Sequence, residues 1–120
     1  MLTYILCLFV SNAYTQDTIY KQALVIKVPD FADPVTKIFY HTYADHLIKC
    51  IKAIREKNEA KTIALFKDPG EQLVAREKIV AKELAKNAAD KQKYVQFAAE
   101  VYPFIKELEG SAYYKKMYGK

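Results

Sequence analysis

Between Asp33 and Asn58 the chain carries a pattern that specifies one long amphipathic helix. Tyr40, Tyr43, Leu47, Cys50 and Ile54 recur at alternating steps of three and four, with Ala44 and Ile51 beside them, so they share one helical face. Lys49, Lys52, Arg55 and Glu56 fall on the other side. Asp33 followed by Pro34 marks the start: the carboxylate caps free backbone amides, and proline fills a position whose amide would be unsatisfied anyway. Asn58 is the expected stop, because its short side chain tolerates the left-handed conformation. At ~1.5 Å per residue such a helix is roughly 35 Å long, enough to cross a small domain, so other helices should pack on it.

The rest of the chain is consistent with helical partners. With 120 residues and 52% hydrophobic content, it is large enough to bury one ordinary core. Only 3 Gly and 4 Pro punctuate it, too few for an all-β domain that turns about every ten residues. Ile63 to Phe66 form a short apolar helix or turn. At Asp68-Pro69-Gly70-Glu71 the capping signals return, and a second long helix is expected to start on Asp68 with Leu73, Val80, Leu84 and Ala88 inward and Arg76, Lys78, Lys82 and Lys86 in water. The apolar stripe then shifts to Tyr94, Ala98, Val101, Ile105 and Leu108, which predicts a new helix capped by Asp90, kinked at Pro103 and ended by Gly110. Residues 18–28 fit a helical face and an alternating strand equally well; a lone strand would have no partner, so a short helix ended by Pro29 is expected. The fold class that follows is all-α: an irregular bundle of four to five helices, two of them long and amphipathic and the C-terminal one bent by proline.

The first residues bear on compartment. Thr3 to Val10 is uncharged and is followed by Ser11-Asn12-Ala13, a pattern of small residues suited to a signal peptidase. We therefore expect residues 1–13 to be a cleaved signal peptide, 14–110 a secreted helical domain and 111–120 a basic, tyrosine-rich tail. An apolar run this short does not span a ~30 Å hydrocarbon layer, so no transmembrane anchor is expected. Cleavage removes Cys7 and leaves Cys50 alone on the apolar face, where a thiol acts as a small buried hydrophobe.

Little in the chain points to catalysis. His41 and His46 lie about 140° apart around their helix, so one metal ion cannot take both from it. His46 and Cys50 are one turn apart and able to touch, but an apolar setting suppresses the thiolate. Gly70, Gly110 and Gly119 exclude a glycine-rich phosphate loop, and Glu77, Glu83, Glu100, Glu107 and Glu109 sit among lysines at ordinary helical spacings. No enzyme, metal site or cofactor is expected.

Charge and tyrosine content suggest binding. The net charge is +5, carried by 17 Lys and 2 Arg, a lysine bias that argues against specific phosphate recognition. Lys49, Lys52 and Arg55, with Lys115 and Lys116 of the tail, are the candidate basic face, suited to anionic glycan or lipid; export argues against nucleic acid. Among 10 tyrosines, Tyr40, Tyr43, Tyr94 and Tyr102 are placed to rim an apolar pocket between helices. The leading expectation is non-enzymatic binding of an extracellular protein partner. Behind it come a carrier of a small, lipid-like apolar ligand and attachment to anionic surfaces.

Overall fold

The computed structural model describes residues 24–119; the expected signal peptide and residues 18–23 of the expected first helix lie outside them. Among the described residues five α-helices follow one another with short connections: α1 (Pro34–Arg55), α2 (Glu59–Leu65), α3 (Glu71–Leu84), α4 (Ala88–Glu109) and α5 (Ala112–Tyr118), with a π-helical turn at Phe66–Gly70 joining α2 to α3. The architecture is the all-α irregular bundle expected from the sequence, and no helix among the described residues is long and apolar enough to cross a membrane.

Helix α1 starts as its sequence specifies. Asp33 is extended, and its carboxylate accepts from the Thr36 amide at 2.9 Å and the Thr36 hydroxyl at 2.8 Å, with proline in the first turn. Its inner face buries Phe39, Tyr40, Ala44, Leu47, Cys50 and Ile51 against Leu73, Val80 and Leu84 of α3 and Phe97 and Val101 of α4. Each fully buried large side chain of this kind contributes about 1.5–3 kcal/mol, so this shared core is what sets α1 at the centre.

The stop differs from expectation. Lys57, not Asn58, takes the left-handed conformation (φ 57°), while the Asn58 amide donates to the Ala53 carbonyl and the Lys57 amide to Ile54, both at 3.0 Å. This pairing closes the end of α1 and frees the Asn58 side chain to cap α2, where it accepts from the Lys61 amide at 3.2 Å. Asp68 likewise caps nothing. The chain stays helical through it, and its carboxylate accepts from the Gln72 side chain at 3.0 Å. A proline within an α-helix clashes with the carbonyl four residues back; widening to a π turn around Pro69 makes room, so α2 and α3 join without a break.

Helix α4 is capped by Asn87, which accepts from the Asp90 amide at 3.0 Å, rather than by Asp90. Asp90 is 1% exposed and has a different role: its two carboxylate oxygens accept from the Ala32 and Asp33 amides at 2.8 and 3.1 Å. The segment it holds is an extended arm. From 24 to 28, Leu24, Ile26 and Val28 pack on the core while Val25 and Lys27 point out, the period of two that the sequence left open against a helix. An extended arm needs no strand partner here because α4 side chains supply its bonds: Lys93 Nζ donates to the Asp30 carbonyl at 2.6 Å, and the Glu100 carboxylate accepts from the Lys27 amide at 3.4 Å.

Pro103 lies inside α4 without ending it. Beyond Gly110 the chain folds again: the Ser111 hydroxyl accepts from the Tyr114 amide at 3.2 Å and donates to the Leu108 carbonyl at 2.7 Å, starting α5. The basic segment treated as a tail is thus, over Ala112–Tyr118, a capped helix packed on α2 and α4.

Candidate functional site

Helix α5 completes a cleft that runs between the outer half of the α1 face, the π turn and the start of α3. Tyr43, His46, Leu47 and Cys50 come from α1, Phe66 and Gly70 from the turn, Glu71, Leu73 and Val74 from α3, Leu108 from α4, and Tyr114 and Tyr118 from α5. The cavity measures about 360 Å³. Its walls are mainly apolar, and its polar groups are a histidine, a carboxylate and three tyrosine hydroxyls.

Local chemistry explains why these residues meet. A Cβ on Gly70 would lie 2.9 Å from the Leu65 carbonyl oxygen, so glycine lets the turn close this tightly on the end of α2, and it would meet His46 Nε2 of α1 at 3.4 Å. Phe66 is 5% exposed because α5 covers it: its ring centroid lies 6.0 Å from Tyr114 and 6.3 Å from Tyr118, which are 5.0 Å from each other. Two polar contacts hold α5 in place. Lys116 Nζ pairs with the Glu59 carboxylate of α2 at 2.7 Å, and the Tyr118 hydroxyl donates to Glu71 at 3.4 Å.

Electrostatics make the cleft floor neutral. Burial pushes the Cys50 thiol up to about 12, and burial together with nearby Lys49 lowers His46 below its ordinary 6.5. Cys50 Sγ and His46 Nε2 are 3.4 Å apart, so the pair is an un-ionised thiol beside an uncharged imidazole rather than a thiolate–imidazolium couple. Burial also raises the Tyr43 hydroxyl to about 12, and burial, then the Glu71 carboxylate, raises Tyr118. The hydroxyls at the cleft therefore keep their protons at neutral pH and are able to donate.

Of the four tyrosines expected to rim a pocket, Tyr43 lines the cleft. Tyr40 is 1% exposed in the core, its ring 5.3 Å from Phe31 and 5.1 Å from Phe97, with Tyr94 beside it at 5.6 Å. The difference is angular: Tyr40 points towards the arm and α4, and Tyr43, three residues on, turns towards the turn and α5. Tyr102 is 59% exposed, with Lys106 Nζ 5.9 Å from its ring. Sequence reasoning missed Phe66, Glu71, Tyr114 and Tyr118. The available signal was Ser111 three residues before Tyr114, a cap announcing a helix in which Tyr114 and Tyr118 share a face.

The expected basic face is divided. Arg55 turns inward, and its guanidinium grips Glu107 of α4 through two bonds of 2.9 Å. Lys116 is committed to Glu59, whereas Lys49, Lys52 and Lys115 are exposed. Arg76 is exposed, as expected, with its guanidinium carbon 5.5 Å from the centre of the Phe39 ring. His41 is exposed, and among the described residues no group of three or more His, Cys, Asp or Glu is placed to hold a metal ion.

No protein-family model matches this chain, and comparisons with curated proteins and with solved structures return no match.

Proposed function

We propose that this protein acts by binding rather than catalysis, as an extracellular carrier of a small, mainly apolar ligand held in the cleft beneath α5. The cleft carries this reading. Its volume of about 360 Å³ falls in the range of small-molecule sites, and its make-up matches theirs: apolar walls from Leu47, Phe66, Leu73, Val74 and Leu108, with a few hydroxyls to fix orientation. The leader-like pattern of residues 1–13 supports placing the carrier outside the cell.

A protein partner, the leading expectation from the sequence, draws thinner support. The large exposed apolar side chains are spread over the arm (Val25), α1 (Val35, Ile38), α3 (Val74, Ile79), α4 (Val95, Tyr102) and α5 (Tyr118), with no more than two on any one helix. Attachment to anionic surfaces loses Arg55 to Glu107 and Lys116 to Glu59, and keeps Lys49, Lys52 and Lys115.

The test is a fluorescence titration with N-phenylnaphthylamine, a neutral apolar probe, excited at wavelengths that tryptophan does not absorb. Saturable enhancement is expected for the wild type and loss of it for Val74→Trp, which fills the cleft from a position 60% exposed and so spares the core. A folded V74W variant that binds the probe as tightly as the wild type sinks the carrier reading, as does a wild type that shows no saturable binding.

A further inference from the structure

The cleft's charge runs against that of the protein. The chain carries 17 Lys and 2 Arg and a net charge of +5, yet no lysine or arginine lines the cleft; its formal charge is the single carboxylate of Glu71. Burial keeps His46, Cys50, Tyr43 and Tyr118 of the lining uncharged at neutral pH.

The start of α3 does not reverse this sign. A free helix N-terminus would attract anions, but α3 continues out of the π turn, and the Glu71 amide is already bonded to the Asp68 carbonyl. The Tyr118 hydroxyl touches the Glu71 carboxylate, and the Tyr118 ring, electron-rich on its faces, packs with Phe66 and Tyr114, which line the same cleft. A carboxylate next to aromatic faces at the mouth of an apolar cavity is complementary to an organic cation.

Building on the carrier reading, we infer that the cleft takes an apolar ligand bearing an ammonium group, and that it discriminates against carboxylate and phosphate head groups. The apolar body lies against Leu47, Leu73, Val74 and Leu108, and the ammonium sits at Glu71 and the tyrosine rings. A fatty acid in the same orientation brings its carboxylate against Glu71 with no cation in the cleft to pair with.

Three probes with one body separate the head groups: octylamine, octanol and octanoate, each used to displace N-phenylnaphthylamine from the full chain at neutral pH and low salt. Octylamine is expected to bind about threefold to tenfold more tightly than octanol, the range set by one exposed charge pair and a cation–π contact, and octanoate most weakly. Glu71→Gln should bring octylamine to within about twofold of octanol while octanol binding stays put. Glu83→Gln, which removes the same charge from α3 outside the cleft, should leave the wild-type order intact. Octanoate binding as well as octylamine, or an amine preference that survives Glu71→Gln, overturns the inference and leaves the carrier reading standing. Failure of all three probes to displace bound N-phenylnaphthylamine also overturns the inference, whereas absence of saturable N-phenylnaphthylamine binding removes both.

Discussion

Arg55 and Glu107, 52 positions apart, meet as a two-pronged ion pair: Nε to Oε2 and Nη2 to Oε1, each at 2.9 Å. The two side chains are 14% and 16% exposed, and they clamp the last turn of α1 to the last turns of α4. Neutralising Glu107 takes the opposite charge from both of these bonds at a largely buried site, so Glu107→Gln is expected to cost about 2–4 kcal/mol. Arg55→Lys keeps the charge but cannot span both oxygens, and should also destabilise measurably. Urea unfolding checks both; a loss below about 0.5 kcal/mol for Glu107→Gln would show the pair to be idle, as many exposed pairs are.

The arm depends on Asp90 in a different way, through neutral backbone donors. Asp90→Ala leaves the Ala32 and Asp33 amides without their acceptor at a site 1% exposed, which should cost about 2–4 kcal/mol for the two groups together. The sharper readout is local. Hydrogen exchange of the Ala32 and Asp33 amides should rise well above that of α1 and α3 in Asp90→Asn, whose amide nitrogen offers a donor to a donor. Unchanged protection at those two amides would refute the clamp.

These two residues also show where the sequence was legible. The start of α1 could be read because its parts are adjacent: Asp33, Pro34 and Thr36 satisfy one another without help from elsewhere. The inward face of α1 could be read because helical period alone selects Leu47, Cys50 and Ile51. Asp68 and Asp90 carried equally good capping signals and were misassigned, since the choice between capping and another role was made by distant partners. Asp90 is claimed by the arm, and the π turn lets the helix run on through Asp68. The cleft was half legible for the same reason. Tyr43 belongs to a face that local period identifies, whereas Phe66 and Tyr118 come together only when α5 folds back on α2.

Alkaline titration should destabilise the fold from about pH 9 upward, beginning where an ordinary thiol starts to lose its proton. Burial raises Cys50 from 9.0 to about 12 and Tyr43 from 10.0 to about 12, and raises Tyr40 and Tyr94 as well. The folded chain therefore holds these protons to a higher pH than the unfolded chain does. Stability from this source is complete below pH 9, and it is lost as the unfolded groups ionise first and pH approaches 12. In Cys50→Ala the decline should start about one pH unit later, at the tyrosines' ordinary value. A urea midpoint that holds steady between about pH 9 and about pH 11 would contradict this account.

Gly70 and Lys57 reverse the usual rule for glycine, and the pair gives two predictions of opposite sign. Gly70 has ordinary helical angles (φ −62°, ψ −48°), where replacement by alanine normally stabilises by about 1 kcal/mol. Here the added Cβ falls 2.9 Å from the Leu65 carbonyl oxygen, a backbone atom at the end of α2 that has no side-chain freedom to yield. Gly70→Ala should therefore destabilise by about 1–3 kcal/mol, the ordinary cost of overpacking, and should also weaken probe binding, because the turn shifts away from His46. Lys57 sits at φ 57° in the closing turn of α1, a conformation that costs an L side chain roughly 1–2 kcal/mol and glycine almost nothing. Lys57→Gly should stabilise by about 1 kcal/mol, less the extra freedom glycine gives the unfolded chain, with the cleft untouched. Urea unfolding of the two variants side by side decides the matter: if alanine at 70 stabilises the protein, the Leu65 carbonyl does not crowd that position, and if glycine at 57 destabilises it, the end of α1 is not closed through that residue.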